Sequence, residues 1–190
     1  MLILASTSSY RRELLERLRL RFEVAAPQVD ESPLALETPI ERARRLALAK
    51  ATAVSRKHPA ATVIGGDQVA VCKGEVLEKP GESERCRAQL QRLSASAATY
   101  YTAVAVLNAA SYTSIELMDT TTVYFRALSR HEIERYVELE RPFDCAGGFR
   151  AEALGIALFA RVVSEDPTAL IGLPLIALAR ALRQLGYELP

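Results

Sequence analysis

Long apolar runs and histidines are both scarce in this 190-residue chain. No stretch approaches the roughly 20 apolar residues that a membrane-spanning helix needs, and the first residues do not resemble a basic leader. His58 and His131 lie in polar, charged surroundings and far in sequence from the other candidate site residues, which gives histidine-driven catalysis little support. We therefore expect a cytoplasmic protein with no membrane contact, whose chemistry uses other side chains.

Cysteine and net charge are also low. Cys72, Cys86 and Cys145 are odd in number and widely spaced, which argues against a disulfide framework and against a zinc site. The formal net charge is only +1, so the general basic field needed for non-specific nucleic-acid binding is missing. We expect no stable nucleic-acid partner, and any anionic ligand must be bound by a local cluster of side chains.

Such a cluster is indicated at the start of the chain. The apolar run 2–5 is followed by a hydroxyl-rich turn and then by an amphipathic helix that opens with Arg11 and Arg12. Free N–H groups and the positive end of the helix dipole favour phosphate there, and Ser6, Ser8 and the two guanidinium groups can bind its oxygens. The alternative is an ordinary serine N-cap followed by surface arginines.

The remaining pattern predicts alternating helices and strands. Capping boxes at Thr38/Glu41 and Ser129/Glu132 mark two helix starts. The Gly-Gly-Asp-Gln stretch 65–68 interrupts an apolar run and is expected to form a constrained bend, while residues 155–159 are expected to form a strand. Antiparallel strands are expected in the middle of the chain, so we predict an α/β fold with a mixed parallel/antiparallel twisted sheet flanked by helices, in a single domain over residues 1–190.

Two carboxylates are the best candidates for catalysis. Asp67 follows two glycines at the end of an apolar run, and Glu31 lies in a loop directly after a predicted strand. A pair of carboxylates facing phosphates is electrostatically favourable only with a divalent cation between them, and magnesium fits this role. Lys50, Lys79 and Arg150 are further cations that could neutralise a polyphosphate, although each alone is more typical of a surface residue.

These residues lie in ordered blocks that together resemble the Maf family of nucleoside triphosphate pyrophosphatases. The blocks are Ser6-Thr7-Ser8, Tyr10 to Leu15, Val29 to Glu31, Leu48 to Ala51, Gly65 to Val69, Lys79-Pro80, Phe143 to Gly147 and Leu170 to Pro174. They span essentially the whole chain in order. The resemblance implies an inosine triphosphatase-like fold with two lobes around a central cleft, and a cytoplasmic homodimer that clears non-standard nucleotides.

The resemblance also implies roles for individual residues. It implies metal-dependent hydrolysis of the α–β phosphoanhydride, with magnesium, manganese or cobalt as the cation. Asp67 would be the general base or would bind the metal-activated water, and Glu31 would bind the metal. The phosphate-binding residues would be Ser6, Ser8, Arg11, Arg12, Lys50 and Lys79.

Three positions resemble the branch of the family that acts on 7-methyl-GTP. They are Tyr10, Gln68 and Glu152. Methylation at N7 makes guanine cationic, so an aromatic face can attract it, and a carboxylate can accept from the N–H edge of guanine. Without the resemblance, Tyr10 would be read as a cover for the helix start and Glu152 as a solvated loop acid.

Some positions depart from the family pattern. Gly66 replaces a serine, Glu78 a glycine, Arg150 a lysine and Thr168 an asparagine. Glu78 adds a negative charge beside Lys79 and removes backbone freedom. Three functions therefore stay open: a 7-methyl-GTP pyrophosphatase, the same chemistry on another modified or ordinary nucleotide, and a weakly active nucleotide-binding regulator of cell division.

Overall fold

Seven strands form one sheet in the computed structural model, which describes residues 1–190. The strands are β1 (Leu2–Ala5), β2 (Glu23–Ala25), β3 (Thr62–Cys72), β4 (Glu75–Leu77), β5 (Ala97–Asn108), β6 (Thr113–Phe125) and β7 (Phe159–Val163). The helices are α1 (Ser9–Glu16), α2 (Pro39–Ser55), α3 (Ser83–Leu93), α4 (Arg130–Glu140) and α5 (Leu175–Gln184). Two short 3-10 helices cover Leu154–Leu158 and Ala169–Ile171. The strand order is β2-β1-β3-β5-β6-β7, and β4 pairs with β3.

The sheet contains both parallel and antiparallel pairs, as predicted. β1 is parallel to β2 and to β3, and α1 and α2 provide the crossover connections that parallel neighbours require. β3 and β4 form a hairpin through Lys73 and Gly74, whose φ angles of 51° and 81° suit a two-residue turn. β7 is antiparallel to β6. β5 and β6 are neighbours joined by only residues 109–112, too few for a parallel crossover, so they are antiparallel as well.

The predicted helix starts are confirmed. Thr38 and Ser129 each accept a hydrogen bond from the backbone three residues later, and Glu41 and Glu132 each reach back to the backbone of the capping residue. At the other end of the chain, α5 is followed by Gly186 with φ of +84°. Capping residues identify helix boundaries reliably here because each one satisfies backbone groups that the helix itself leaves unpaired.

The prediction of a bend at residues 65–68 is wrong, because β3 runs through them without interruption. Neither Gly65 nor Gly66 has a positive φ. A Cβ atom on Gly65 would lie 2.3 Å from the carbonyl oxygen of Ala47 and 2.5 Å from the amide nitrogen of Ala51, both on α2. Glycine is therefore required for the close approach of helix and strand and not for a turn.

The prediction of a strand at residues 155–159 is also wrong over most of its length. Leu154–Leu158 forms a 3-10 helix, and the strand starts only at Phe159. A Cβ atom on Gly155 would lie 2.3 Å from the carbonyl oxygen of Arg150, so the chain folds tightly against the preceding loop. The amide of Leu154 also donates to the carboxylate of Glu140 at 3.2 Å. These local contacts favour a tight turn over the extended backbone that the apolar run suggested.

The chain divides into two compact units, which agrees with the expectation of two lobes. The first contains Met1–Gln68, Tyr101–Asp119 and Asp166–Pro190, and the second contains Val69–Tyr100 and Thr120–Glu165. The core of the first unit is aliphatic, with buried leucines from β1, α1 and α5. The core of the second contains edge-to-face contacts among Tyr100, Phe125, Phe149 and Phe159. The cleft stays a prediction.

No helix is both long and apolar enough to cross a membrane.

The contact at Gly65 leads to a stability prediction. Gly65→Ala should lower the free energy of unfolding by about 3 kcal/mol, because the methyl group meets backbone atoms that cannot rotate away. Gly66→Ala is the matched control on the same strand, where the atoms nearest to the added Cβ belong to the side chains of Leu173, at 3.3 Å, and Arg11, at 3.4 Å. Urea unfolding of both variants should show the larger loss for Gly65→Ala, and equal losses would contradict the assigned contact.

Candidate active site

The turn after β1 is built by serine hydroxyl groups. The hydroxyl of Ser6, a buried residue, accepts from the amide of Ser8 at 3.1 Å, and the hydroxyl of Ser8 accepts from the amide of Arg11 at 3.4 Å. Ser8 is thus the N-cap of α1, as the simpler interpretation expects, whereas Arg11 is partly buried and is not the surface arginine of that interpretation. Binding of phosphate at the same helix end stays a prediction.

Arg11 is fixed at the start of α1 by a distant carbonyl group. Its Nε donates to the carbonyl oxygen of Gly172 at 3.1 Å, and the side chain is partly buried. Burial lowers the pKa of the Arg11 guanidinium, and the negative charges of Asp67 and Glu31 partly offset that effect. Since an arginine starts from so high a pKa, the group keeps its positive charge beside the two carboxylates.

Arg12 and Tyr10 occupy other sides of α1. Arg12 is exposed, and its Nε lies 3.0 Å from the carboxylate of Glu16. An exposed pair of this kind contributes about 0–1 kcal/mol, so a phosphate could compete for the guanidinium. Tyr10 is partly buried on the first turn of the helix. The binding roles predicted for both residues stay predictions.

Lys50 joins the two predicted catalytic acids. Its Nζ donates to Oδ1 of Asp67 at 2.7 Å and lies 3.0 Å from Oε1 of Glu31. Lys50 and Asp67 are both buried, with 6% and 7% of their surface exposed, whereas Glu31 is exposed. The second oxygen of Asp67, Oδ2, accepts no hydrogen bond from the protein and is open to solvent. Asp67 therefore has one oxygen fixed by an ammonium group and one available to a ligand.

Strand alternation explains how α2 brings Lys50 to Asp67. Successive residues of a strand point to opposite faces, so Gly65 and Asp67 share the face that packs on α2. The close approach at Gly65 is flanked by Ala47 and Ala51, and Lys50 belongs to the same helical turn. A lysine on this turn can reach the neighbouring carboxylate because no side chain on Gly65 separates helix and strand.

The loop that carries Glu31 is attached to α2 by a second ion pair. Arg45 contacts both carboxylate oxygens of Glu37, at 2.5 and 2.8 Å, and also donates to the carbonyl oxygen of Ser32 at 3.1 Å. The hydrogen bond from Arg45 is the main reason that the pKa of Glu37 falls to about 2. This two-point contact restrains the loop and so keeps Glu31 near Lys50.

Gln68 projects to the opposite face of β3 from Asp67. Its side-chain Nε2 lies 2.8 Å from the hydroxyl of Thr102, 3.0 Å from the carbonyl oxygen of Ala169 and 3.2 Å from that of Leu170. The hydroxyl of Thr102 donates in turn to the carbonyl oxygen of Ala169 at 3.0 Å. The amide oxygen of Gln68 accepts no hydrogen bond from the protein and is open to solvent.

The segment that provides these carbonyl groups is anchored at the start of α5. The buried carboxylate of Asp166 accepts from the amide of Ile176 at 2.6 Å, and the hydroxyl of Thr168 accepts from the amide of Leu175 at 2.8 Å. Thr168, which replaces the asparagine expected from the family pattern, thus accepts a hydrogen bond from the first amide of α5. The anchor gives the 3-10 helix Ala169–Ile171 a fixed position relative to α5.

The remaining predicted residues belong to the second unit. Lys79 and Glu78 are exposed in the loop after β4, and the carbonyl group of Glu78 accepts from the side chain of Gln89 at 2.8 Å. Arg150 contacts Glu140 at 3.2 Å and Glu152 at 3.5 Å. The structure thus brings Ser6, Ser8, Arg11, Glu31, Lys50 and Asp67 together in the first unit, and the roles predicted for Lys79 and Glu152 stay predictions.

Several contributors to this site were missed by the sequence analysis. Thr102 and the carbonyl groups of Ala169, Leu170 and Gly172 position Gln68 and Arg11, and Arg45 positions the loop of Glu31. The block Leu170 to Pro174 was the only available signal for this segment. Thr102 gave no signal, because one threonine within an apolar strand does not show which distant side chain it contacts.

The carboxylates of Glu31 and Asp67 fit a divalent cation whose other coordination positions are filled by a bound ligand and water. Glu31 and Asp67 each use one oxygen on Lys50, and no group of three or more His, Cys, Asp or Glu residues is placed to bind a metal alone. Magnesium is commonly bound through one or two carboxylates together with phosphate oxygens and water. The two acids therefore suit a cation that arrives with a phosphorylated ligand.

Comparison with known proteins identifies the family of the chain. The model of the family described as Maf-like protein matches residues 1–185. The chain belongs to the Maf family. A 7-methyl-GTP pyrophosphatase of Aromatoleum aromaticum is 53% identical to this Maf protein over 100% of the chain and 97% of its own length. A 7-methyl-GTP pyrophosphatase of Xanthomonas campestris is 52% identical over 100% of the chain and 98% of its own length.

Among solved structures, the Staphylococcus aureus Ham1 protein aligns with 65% of this Maf protein and with 71% of its own chain. The identity is 15% and the TM-score is 0.46, a value that supports no inference about the site.

The charge cluster predicts unequal losses of stability. Lys50→Met in this Maf protein should lower the free energy of unfolding by about 3–5 kcal/mol, because Asp67 is left buried beside Glu31 without the ammonium group. Asp67→Asn should cost less, since Lys50 keeps its contact with Glu31. Urea unfolding at neutral pH measures both values. A Lys50→Met protein as stable as Asp67→Asn would show that the ion pairs contribute little.

The Glu37–Arg45 pair predicts a dependence on pH. Folding lowers the pKa of Glu37 from its ordinary 4.5 to about 2, so its stabilising contribution is complete above pH 4.5 and is lost as pH falls towards 2. Glu37→Gln should therefore be less stable than the wild type at pH 7, and the difference should shrink through this window. Unfolding at pH 7 and pH 3 tests it, and a difference that grows at pH 3 would contradict the assignment.

Proposed function

We propose that this protein is a nucleoside triphosphate pyrophosphatase that hydrolyses 7-methyl-GTP to 7-methyl-GMP and pyrophosphate. The observation that supports this most is the identity of 53% over the full chain with a 7-methyl-GTP pyrophosphatase. The first unit also contains the side chains that such a reaction needs, namely fixed cations beside a carboxylate with one open oxygen.

In this proposal, fixed positive charges neutralise the polyphosphate. A nucleoside triphosphate carries about four negative charges, and further charge develops at phosphorus during attack by water. Arg11 and Lys50 are already oriented by Gly172 and Asp67, so binding costs little reorganisation. Ser6 and Ser8 lie at the N-terminus of α1 and are assigned to bind phosphate oxygens there. Arg12 and Lys79 are assigned further phosphate contacts.

Asp67 has the role of general base or of the residue that orients the attacking water. Its Oδ1 is fixed by Lys50, and its open Oδ2 can accept a proton or a hydrogen bond from water. A divalent cation would be bound by Glu31 and Asp67, where it would polarise the phosphoryl group as a Lewis acid. Magnesium is the first choice, with manganese and cobalt as alternatives.

Tyr10, Gln68 and Glu152 are assigned to recognition of the base. An aromatic side chain attracts the cationic 7-methylguanine by about 0.5–2 kcal/mol, depending on desolvation. The open amide oxygen of Gln68 and the carboxylate of Glu152 are both acceptors for N–H groups. We further propose a single functional domain over residues 1–190, a cytoplasmic location and a homodimer that clears modified nucleotides, all from the resemblance.

The test is pyrophosphate release over a nucleotide panel. Purified protein is assayed with 7-methyl-GTP, GTP, ATP, CTP and UTP, each with magnesium, manganese, cobalt or a chelator. We expect the highest kcat/KM for 7-methyl-GTP and loss of turnover with the chelator. A preference for a pyrimidine would contradict the assigned base recognition. Nucleotide binding without turnover in every metal would instead favour a regulatory protein.

Asp67→Asn should reduce kcat at least about 100-fold, because the amide cannot take a proton from water. Glu188→Gln, which removes an exposed acid near the end of the chain, is the matched control. Circular dichroism of both variants checks that the fold is retained. Near-normal turnover by folded Asp67→Asn protein would remove Asp67 from the reaction.

A further inference from the structure

The side-chain amide of Gln68 has only one orientation that its surroundings accept. Two of the atoms around Nε2 are the backbone carbonyl oxygens of Ala169 and Leu170, which can only accept hydrogen bonds. If the amide were rotated by 180°, its own oxygen would lie against both carbonyl oxygens, and three hydrogen-bond acceptors would repel one another. The NH₂ group is therefore directed into the protein.

Thr102 completes this environment. It is fully buried on β5, and its hydroxyl accepts from Nε2 of Gln68 at 2.8 Å while it donates to the carbonyl oxygen of Ala169 at 3.0 Å. Because the single hydroxyl proton is directed to Ala169, the lone pairs of Thr102 are directed to the amide. The hydroxyl thus supports the same amide orientation as the carbonyl groups do.

The other end of the amide is open. The oxygen Oε1 of Gln68 accepts nothing from the protein and is reached by solvent, although the residue itself is partly buried. Gln68 also follows Asp67 directly on β3, and both lie beyond the end of β1, which pairs no further than Gly65. An acceptor of fixed orientation therefore belongs to the residue that directly follows the proposed catalytic acid on β3.

We infer that Thr102 is a positioning residue for base selection: with the carbonyl groups of Ala169 and Leu170 it orients Gln68 so that the site selects a base through an N–H donor. This inference rests on the proposed nucleotide hydrolysis and deepens it. In 7-methylguanine the available donors are N1–H and the 2-amino group. Thr102 contacts neither the substrate nor the reacting atoms and acts through Gln68.

The first arm of the test uses the wild-type protein alone. Pyrophosphate release is measured with 7-methyl-GTP, with 1,7-dimethyl-GTP, which lacks N1–H, and with 7-methyl-ITP, which lacks the 2-amino group. Losing the donor that Gln68 reads should lower kcat/KM about tenfold, since a polar site is left unpaired. Equal kcat/KM for all three nucleotides would overturn the inference.

The second arm uses a matched pair of variants. Thr102→Val keeps the shape of the side chain but removes the hydroxyl, and Thr102→Ser keeps the hydroxyl. With Thr102→Val, KM for 7-methyl-GTP should rise about threefold to tenfold while kcat changes little, and the ratio of kcat/KM between 7-methyl-GTP and the weaker analogue should shrink. Thr102→Ser should restore the wild-type ratio.

Each failure has a distinct signature. An unchanged ratio in folded Thr102→Val protein, with thermal unfolding as the check, overturns the positioning role of Thr102. If Thr102→Val does not fold, the first arm decides whether the site selects the base through an N–H donor. Thr102→Ser then tests the hydroxyl, and a lost preference in this variant contradicts the positioning role. No pyrophosphate from any nucleotide with wild-type protein would refute the proposed function instead.

Discussion

The close approach of α2 to β3 at Gly65 is the constraint on which the charge cluster depends. Backbone atoms of Ala47 and Ala51 lie where any side chain on Gly65 would have to be. This contact places Nζ of Lys50 2.7 Å from Oδ1 of Asp67. Both side chains are buried, so the surrounding atoms leave the ion pair few other conformations. Glu31 and Arg11 are then arranged around this pair, one through a restrained loop and the other through a carbonyl group.

A single backbone segment organises the other face of β3. Carbonyl groups of Ala169 and Leu170 orient Gln68, and the carbonyl group of Gly172 orients Arg11. The same segment is anchored to α5 by Thr168. The cation proposed to bind phosphate and the amide proposed to recognise the base thus share one support, so displacement of this short turn would disturb both. Precise sites in proteins generally depend on such supporting contacts.

The sequence was sufficient for most of the fold because its signals are local. Capping residues such as Thr38 and Ser129, and the Lys73-Gly74 hairpin, report on backbone groups within a few residues. The glycines at 65–66 were misread because a turn and a close packing contact have the same residue preference, and only the position of α2 distinguishes them. The partners of Gln68 are more than 30 residues away in sequence, so no local pattern could have identified them.

Adjacent residues of β3 have separate surroundings. Asp67 faces α2 and is fixed by Lys50, whereas Gln68 faces the opposite side and is fixed by Thr102 and the turn before α5. Because strand geometry insulates the two side chains, a substitution at the second position would leave the electrostatic environment of the first nearly intact. With the roles proposed for the two residues, natural variation at Gln68 could alter ligand preference in small heritable steps while the surroundings of Asp67 are preserved, which makes this strand a favourable place for functional divergence.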